Sequence, residues 1–192
     1  MRKNALANRE RILTAAETVF GASGELGSTE DVADRAGVGI ATVFRHFPTK
    51  GALIEATLVR QFDRLGERAA RFAADLDPEA AVRELIGALI EGSSTKLTLI
   101  SLVGEDGQYP AAVEEATGRV QEVIGEVLGR ARDAGVVAAD VTVEEFFVLV
   151  RGLSQAAATM PAAAMTTDRA VELVVRGLAP AQARGDRDGA QR

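Results

Sequence analysis

Residues 31–50 have the sequence DVADRAGVGIATVFRHFPTK, and this stretch decides the predicted fold. Its pattern predicts a short helix, a tight turn at residues 37–39 and a second short helix that ends at Pro48. Val43 and Phe47, four residues apart, would anchor the second helix to the helices before it. Two short helices joined by a glycine-containing turn are typical of the helix-turn-helix, whose second helix enters the major groove of DNA.

One more helix is predicted before this stretch, at residues 8–20, where apolar residues recur at three- and four-residue spacing. Glycines at positions 21, 24 and 27 are expected to break it. The next helix would begin at Ser28, because Ser28-x-x-Asp31 fits the capping-box pattern with Asp in place of the usual Glu. Gly37 would end that helix. Residues 1–50 are therefore predicted to form a three-helix domain.

The rest of the chain also predicts helices. A long helix would begin near Thr49 and run to about residue 74, and further helices follow at 78–91, 97–103, 110–134, 142–160 and 166–178. The alternation in residues 97–103 would also suit a strand, but no other segment offers a strand partner. The predicted fold class is all-α, with about nine helices: a helix-turn-helix domain at 1–50, a helical domain at 51–180 and a disordered tail at 181–192.

The composition excludes several classes of protein. Apolar residues make up 47% of the chain, which indicates a globular protein, and no run approaches the roughly 18 apolar residues of a membrane span. No secretory signal is visible and cysteine is missing, so we expect a cytoplasmic protein without a membrane partner. A single histidine, no cysteine and no GxGxxG or GxxxxGK[ST] motif argue against an enzyme. We expect no catalytic residue, no metal and no cofactor.

The net charge of −6 is unevenly distributed. Residues 1–50 hold seven Lys or Arg and six Asp or Glu, a balance of +1, whereas the remaining residues hold fifteen and twenty-two, a balance of −7. Basic residues at positions 2, 3, 9 and 11 precede the predicted helix-turn-helix. A positive end on an acidic body suits local phosphate contacts better than wrapping of long DNA.

The last two predicted helices carry more apolar residues than one face can hold. A helix that is apolar on more than one face must be buried on more than one face. Helices at the end of a small protein are more easily buried by a second copy than by their own core. We therefore predict a homodimer whose interface contains Phe146, Leu149, Val150, Leu153, Val171, Val174 and Leu178.

With these residues in view, the chain resembles the TetR family of transcriptional regulators. The likeness is strongest in the segments ILTAAETVF, STEDVADRAGV and ATVFRHFPTKGALIEA, and it covers about residues 8–60 closely. The rest of the chain matches in the number and order of helices. The resemblance implies a homodimer with three N-terminal helices for DNA and a ligand-binding helical body. Binding of a small molecule there usually releases the operator.

The resemblance also implies roles for particular residues. Phosphate contacts are implied for Ser28, Thr29, His46 and Lys50, and base contacts for Gly39, Ile40, Ala41 and Thr42. Phe44 stands where a tyrosine is usual, which removes one hydroxyl, although the ring can still pack against sugar or a thymine methyl. Arg45 is interpreted as a solvated or phosphate-facing charge.

The predicted reading edge is small and apolar at Gly39, Ile40 and Ala41. It lacks the Arg, Lys, Asn and Gln side chains that form bidentate contacts with bases. We therefore expect readout to depend on thymine methyl groups, on Thr42 and on the shape of the DNA.

A ligand site is inferred from the resemblance and from composition. Gly118, Gly125 and Gly129 share one face of a predicted helix, where they would allow either close approach of another helix or room for a ligand. The candidate lining residues are Phe62, Leu89, Leu99, Val103, Ile124, Phe147 and Arg151. Because these are mostly apolar, a lipophilic or aromatic effector is expected.

The sequence thus predicts a repressor that binds a palindromic DNA operator as a homodimer and is released by a small-molecule effector. The alternative is an all-helical scaffold protein that acts through contacts with protein partners and does not bind specific DNA. A DNA shift assay separates the two.

Overall fold

The chain forms nine α-helices and one short 3-10 helix in the residues that its computed structural model describes, which are 2–104, 108–159 and 167–181. The predicted all-α fold class is confirmed. The helices are α1 Arg2–Ser23, α2 Thr29–Ala36, α3 Ile40–His46, α4 Lys50–Asp75, α5 Pro78–Ile90, α6 Ser93–Val103, α7 Ala111–Asp133, α8 Val143–Thr159 and α9 Thr167–Leu178. The predicted disordered tail lies outside the described residues from residue 182 onward, as do the helix ends expected at Met160 and Thr166.

The first helix is longer than predicted at both ends. It begins at Arg2 and continues through Gly21 to Ser23, so the predicted break at Gly21 is wrong. A Cβ atom at Gly21 would lie 2.7 Å from Oγ1 and Cγ2 of Thr95 in α6. Gly21 therefore allows α1 and α6 to approach closely, and the helix ends only before Gly24, which has a φ of +54°.

The capping residues of α2 are confirmed. Oγ of Ser28 accepts a hydrogen bond from the backbone N–H of Asp31 at 3.0 Å, and Oδ2 of Asp31 accepts from the N–H of Ser28 at 3.1 Å. Gly37 ends α2 in the left-handed conformation with a φ of +63°. Glycine adopts this φ without the steric penalty that a Cβ atom brings.

Most of the helices that follow begin and end within one residue of the predicted positions, but α6 begins at Ser93, four residues earlier than predicted. Phe47 lies one residue past the end of α3 instead of within it. Oγ1 of Thr49 accepts from the N–H of Ala52 at 3.0 Å, which caps the start of α4. Residues 97–103, for which a strand was the alternative, lie in α6, so the helical interpretation is confirmed.

Two compact units divide the chain. Unit 1 comprises Met1–Asp63 and Ser94–Thr117, and unit 2 comprises Arg64–Ser93 and Gly118–Arg192. Leu99 of α6 is buried in the same core as residues of α1, α2, α3 and α4, which explains why residues 94–117 join the first unit. This grouping differs from the predicted division after residue 50, and the functional boundary at that position stays a prediction.

Each unit has its own buried core. In unit 1 the fully buried large side chains are Ile12, Leu13, Phe20, Val32, Leu53, Leu58 and Leu99. In unit 2 they are Leu85, Ile86, Ile124, Leu128 and Phe146. Helix α5 packs against both α8 and α9.

Among the described residues, no single helix is both long and apolar enough to cross a membrane. Only α5 and α6 taken together, as a bent pair, satisfy that test, and they do so by length and composition alone.

Candidate functional site

Helix α3 has one buried face and one exposed face. Val43 and, just past the helix, Phe47 are buried in the core of unit 1. Ile40 and Phe44 point away from that core, with 37% and 43% of their surface exposed. Gly39, Ala41 and Arg45 are exposed beside them. Most of the residues expected to meet DNA bases therefore lie together on one accessible edge.

The remaining predicted contacts on α3 are partly buried. Thr42 and His46 are intermediate in exposure, and the ring of His46 lies 6.2 Å from the ring of Phe47. Arg45 and His46 occupy the last turn of α3, where positive charge is favourable because the helix dipole is negative at that end.

The hydroxyls at the start of α2 already have partners within the protein. Oγ of Ser28 donates to Oδ2 of Asp31 at 2.6 Å in addition to its capping bond. Thr29 is buried, and its Oγ1 donates to Oε2 of Glu30 at 3.1 Å. The hydrogen bonds from the hydroxyl and the N–H of Ser28 lower the pKa of the Asp31 carboxyl below its ordinary value. These two hydroxyls are therefore less available to phosphate than the sequence suggested.

Lys50 is half-buried and its side chain joins two segments of unit 1. Its Nζ donates to the carbonyl oxygen of Glu25 at 2.7 Å and lies 5.7 Å from the centroid of the Phe20 ring. Lys50 thus connects the start of α4 to the segment between α1 and α2.

Arg11 has a structural role that the sequence did not reveal. Its guanidinium donates to the carbonyl oxygen of Ala36, and to that of Gly37 at 3.1 Å. These carbonyls end α2, where a cation also interacts favourably with the helix dipole. Arg11 therefore holds the turn that orients α3. Gly37 signalled the end of α2, but nothing in the sequence indicated which cation would meet it.

Arg60 joins α4 to α1, a contact that sequence reasoning also missed. This buried side chain of α4 bonds three residues of α1. Its Nε lies 2.9 Å from Oε2 of Glu10, its Nη1 3.2 Å from Oε2 of Glu17, and its Nη2 2.7 Å from Oγ1 of Thr14. Glu10, Thr14 and Glu17 share one face of α1 at four- and three-residue spacing, which was the available signal.

The candidate effector-lining residues divide between the units. In unit 1, Leu99 is fully buried, and Phe62 and Val103 pack against the same core. In unit 2, Ile124 is fully buried and Leu89 and Phe147 are partly buried. Arg151 is exposed, unlike the other six candidates, which are buried or partly buried.

The glycines of α7 are not explained by close packing. Among the described residues, a Cβ atom at Gly118 or at Gly129 would meet no atom of another helix within 4 Å, and one at Gly125 would meet Cγ2 of Val143, at 3.9 Å. The explanation by close helix approach, one of the two offered above, therefore fails at these positions.

Several residues predicted to form the dimer interface on α8 and α9 are buried within unit 2. Phe146, Val150, Val171 and Leu178 are buried inside unit 2, so these predicted interface residues are already in the chain's own core. Leu149 is 48% exposed, and Leu153 and Val174 are intermediate. Two apolar residues absent from the predicted set are more exposed, Val148 at 72% and Leu173 at 55%.

Two family models match the chain. Residues 12–57 match the model described as bacterial regulatory proteins of the tetR family. Residues 77–180, more than half of the chain, match the model for the C-terminal domain of SbtR-like transcriptional regulators. No curated protein matches the chain significantly.

Several solved structures are similar over nearly the whole chain. A TetR transcriptional regulator from Streptomyces coelicolor is 28% identical, with a TM-score of 0.76 and with 90% of this chain and 99% of that chain covered. A TetR regulatory protein from Mycobacterium vanbaalenii is 29% identical, with a TM-score of 0.75 and coverages of 93% and 99%. The fatty acid degradation regulator FadR from Bacillus halodurans, at 15% identity, shares the fold with a TM-score of 0.70 and coverages of 88% and 96%.

Proposed function

Because the chain belongs to the TetR family of bacterial transcriptional regulators, we propose that it is a repressor that binds a palindromic operator as a homodimer and is released by a small-molecule effector. The family and the fold are those of transcription regulators, which are not enzymes. TetR regulators bind DNA and small-molecule effectors, generally as dimers. Such a repressor acts on the chromosome, in the bacterial cytoplasm.

The observation that carries the proposal is the exposed edge of α3. Ile40 and Phe44 keep large apolar side chains in water, although burial of such surface is normally favourable. Ala41 and Gly39 beside them allow close approach to base edges. We propose that this edge reads thymine methyl groups in the major groove, with DNA shape supplying further specificity. Arg45 and His46 would contact phosphates at the end of α3.

We propose that the dimer forms through the outer faces of α8 and α9. Val148, Leu149 and Leu173 supply the exposed apolar surface, with Leu153 and Val174 at its margin. The buried residues of these helices instead hold them in the core of unit 2. A two-fold dimer of this family would place two copies of α3 about 34–36 Å apart, in successive major grooves.

The proposed effector is lipophilic or aromatic. Once Arg151 is set aside, the candidate lining residues within each unit are all apolar: Phe62, Leu99 and Val103 in one, Leu89, Ile124 and Phe147 in the other. Apolar walls favour apolar ligands, with few polar groups to fix their orientation. Coupling between effector and operator is typically worth about 1–3 kcal/mol, which reduces operator affinity roughly 5–150-fold.

Selection of binding sites from a pool of random DNA duplexes tests this function. We expect enrichment of a two-fold symmetric sequence that the purified protein shifts on a gel. Ala41→Asp should abolish the shift, because a carboxylate on the edge of α3 repels the DNA. Ala70→Asp, at an exposed alanine of α4, is the matched control and should bind normally. A pool without enrichment would contradict the proposal and favour the scaffold alternative.

A further inference from the structure

We propose that the DNA-binding surface extends from α3 onto α1, where Arg9 contacts a backbone phosphate beside the C-terminal end of α3. The inference rests on the proposed function, and it assigns a contact that neither the α3 edge nor the family likeness supplied.

Arg9 lies next to the end of the recognition helix. Its Cζ atom is 5.4 Å from the centroid of the Phe47 ring, and Phe47 directly follows α3. The ring of His46 lies 6.2 Å from the ring of Phe47, between centroids. Phe47 is buried, so its ring holds a fixed position against which the guanidinium of Arg9 is placed, directly after the end of α3.

Arg9 differs from the basic residues of unit 1 that bond backbone carbonyls or are buried. Its side chain is 45% exposed. In contrast, Arg11 bonds the carbonyls that end α2, Lys50 bonds the carbonyl of Glu25, and Arg60 is buried against α1. A guanidinium that faces solvent and is restrained by an aromatic ring loses little freedom when it binds a phosphate, and its planar donors suit phosphate oxygens.

The nearest carboxylate is already held by another cation. Glu10 lies 3.9 Å from Nη1 of Arg9, but its other oxygen lies 2.9 Å from Nε of Arg60. A charge-assisted hydrogen bond at the shorter distance is the stronger interaction. Arg60 therefore neutralises much of the charge of Glu10, which leaves Arg9 available to phosphate.

A phosphate contact has a quantitative signature. Each phosphate that a protein neutralises releases condensed counterions, so the logarithm of the binding constant falls against the logarithm of salt concentration with a slope of about −0.9 per contact. Removal of Arg9 from both DNA-binding domains of a dimer should therefore make the slope less steep by about 1.8.

The test measures binding of the full chain to the operator recovered by selection, over a series of salt concentrations. Arg9→Ala should reduce the slope by about 1.8 and weaken binding to the operator and to random duplex alike. Arg9→Lys should restore most of the slope, because it keeps the charge. Arg71→Ala, which removes an exposed arginine from α4, is the matched control and should leave the slope unchanged.

A variant of the neighbouring acid tests whether Arg9 is available to phosphate. Glu10→Gln should leave the salt dependence that Arg9 contributes unchanged, because Arg60 already holds the Glu10 carboxylate. A slope that becomes steeper in Glu10→Gln would show that Glu10 competes with phosphate for Arg9, and the premise that Arg9 is available in the wild type would be wrong.

The outcomes separate this inference from the proposed function. If Arg9→Ala keeps the wild-type slope while its melting temperature falls, Arg9 only stabilises Phe47 and the inference is overturned, although operator binding by the wild type still supports the function. If the wild-type protein enriches no DNA sequence, both fail together.

Discussion

At the scale of single residues, polar side chains help to hold the helices around α3 in place. Arg11 bonds the turn that precedes this helix, Lys50 bonds the segment before α2, and Arg60 bonds α1. Each of these bonds joins residues that lie far apart in the chain, so apolar packing is not the only restraint on the helices around α3. A hydrogen bond to a charged group contributes more than a neutral one, about 1.5–3 kcal/mol.

The capping box of α2 predicts a pH dependence. The hydrogen bonds of Ser28 lower the pKa of Asp31 in the folded chain. A group of this kind contributes stability above its unfolded pKa of about 3.9, and the contribution disappears as the pH falls through the folded pKa. The difference in urea midpoint between the wild type and Asp31→Asn should be constant from about pH 7 to about pH 5 and shrink below about pH 4.

The partner of this carboxylate supplies the control. In a Ser28→Ala background the effect of Asp31→Asn should be smaller and less dependent on pH, because the side-chain bond of Ser28 is the larger cause of the shift. A midpoint difference that stays the same at every pH would show that the ionised carboxylate does not carry the effect.

Ile40 is expected to contribute specificity rather than general affinity. Ile40→Ala removes the largest apolar group at the start of α3 and should relax base preference at one position of each half-site. The loss should be about 1 kcal/mol, at the lower end of the cost of one mismatched base pair. Site selection with both proteins measures it. Leu26→Ala, at a more exposed leucine outside α3, is the control, and an unchanged preference for Ile40→Ala would exclude readout by this side chain.

At the scale of helices, glycines in different helices have different surroundings. A Cβ atom at Gly21 of α1 would lie 2.7 Å from the Thr95 side chain, whereas one at Gly129 of α7 would meet no atom of another helix within 4 Å in the part of the chain that the structure describes. A glycine in a helix costs about 0.8–1 kcal/mol relative to alanine when no contact requires it. The spacing of glycines alone does not reveal this difference.

Two alanine variants compare these positions directly. Gly129→Ala should raise the free energy of unfolding by about 0.8–1 kcal/mol, because no described residue of another helix lies within 4 Å of the new methyl group. Gly21→Ala should lower it, because Thr95 or one of the two helices has to shift. Urea unfolding measures both. A destabilised Gly129→Ala would contradict the open space at this position.

At the scale of the whole molecule, the proposed dimer depends on apolar surface that the chain does not bury by itself. In a two-fold interface each exposed residue occurs twice, so one substitution changes two contacts. Val148, Leu149 and Leu173 are the exposed large apolar residues of α8 and α9. Their burial by a second copy would also determine the distance between the two copies of α3, and the spacing of the operator half-sites depends on that distance.

Leu173→Glu is expected to dissociate this dimer. It places a carboxylate on each side of the proposed interface, where two charges would lose their hydration. Light scattering after gel filtration should show a monomer at micromolar concentration, and operator affinity should fall. Leu26→Glu, the same substitution at an exposed leucine in unit 1, is the control and should remain dimeric. A dimeric Leu173→Glu would place the interface elsewhere.

Much of the fold was predictable because its signals are local. Ser28 and Asp31 are three residues apart, Gly37 directly follows the helix that it ends, and Val43 and Phe47 are one turn apart. These interactions are made between neighbours in the chain, so periodicity and capping patterns predicted the helices and the exposed edge of α3 from the sequence alone.

Only the tertiary structure decided which distant residues meet. Arg60 and Glu10 are 50 residues apart in the chain, and Arg11 and Ala36 are 25 apart. The sequence showed that α8 has more apolar residues than one face can hold, but packing in unit 2 determined that Phe146 lies inside and Val148 outside. The physical reason is that a helix has the same local pattern wherever it is placed, whereas the burial of each face depends on the neighbours that cover it.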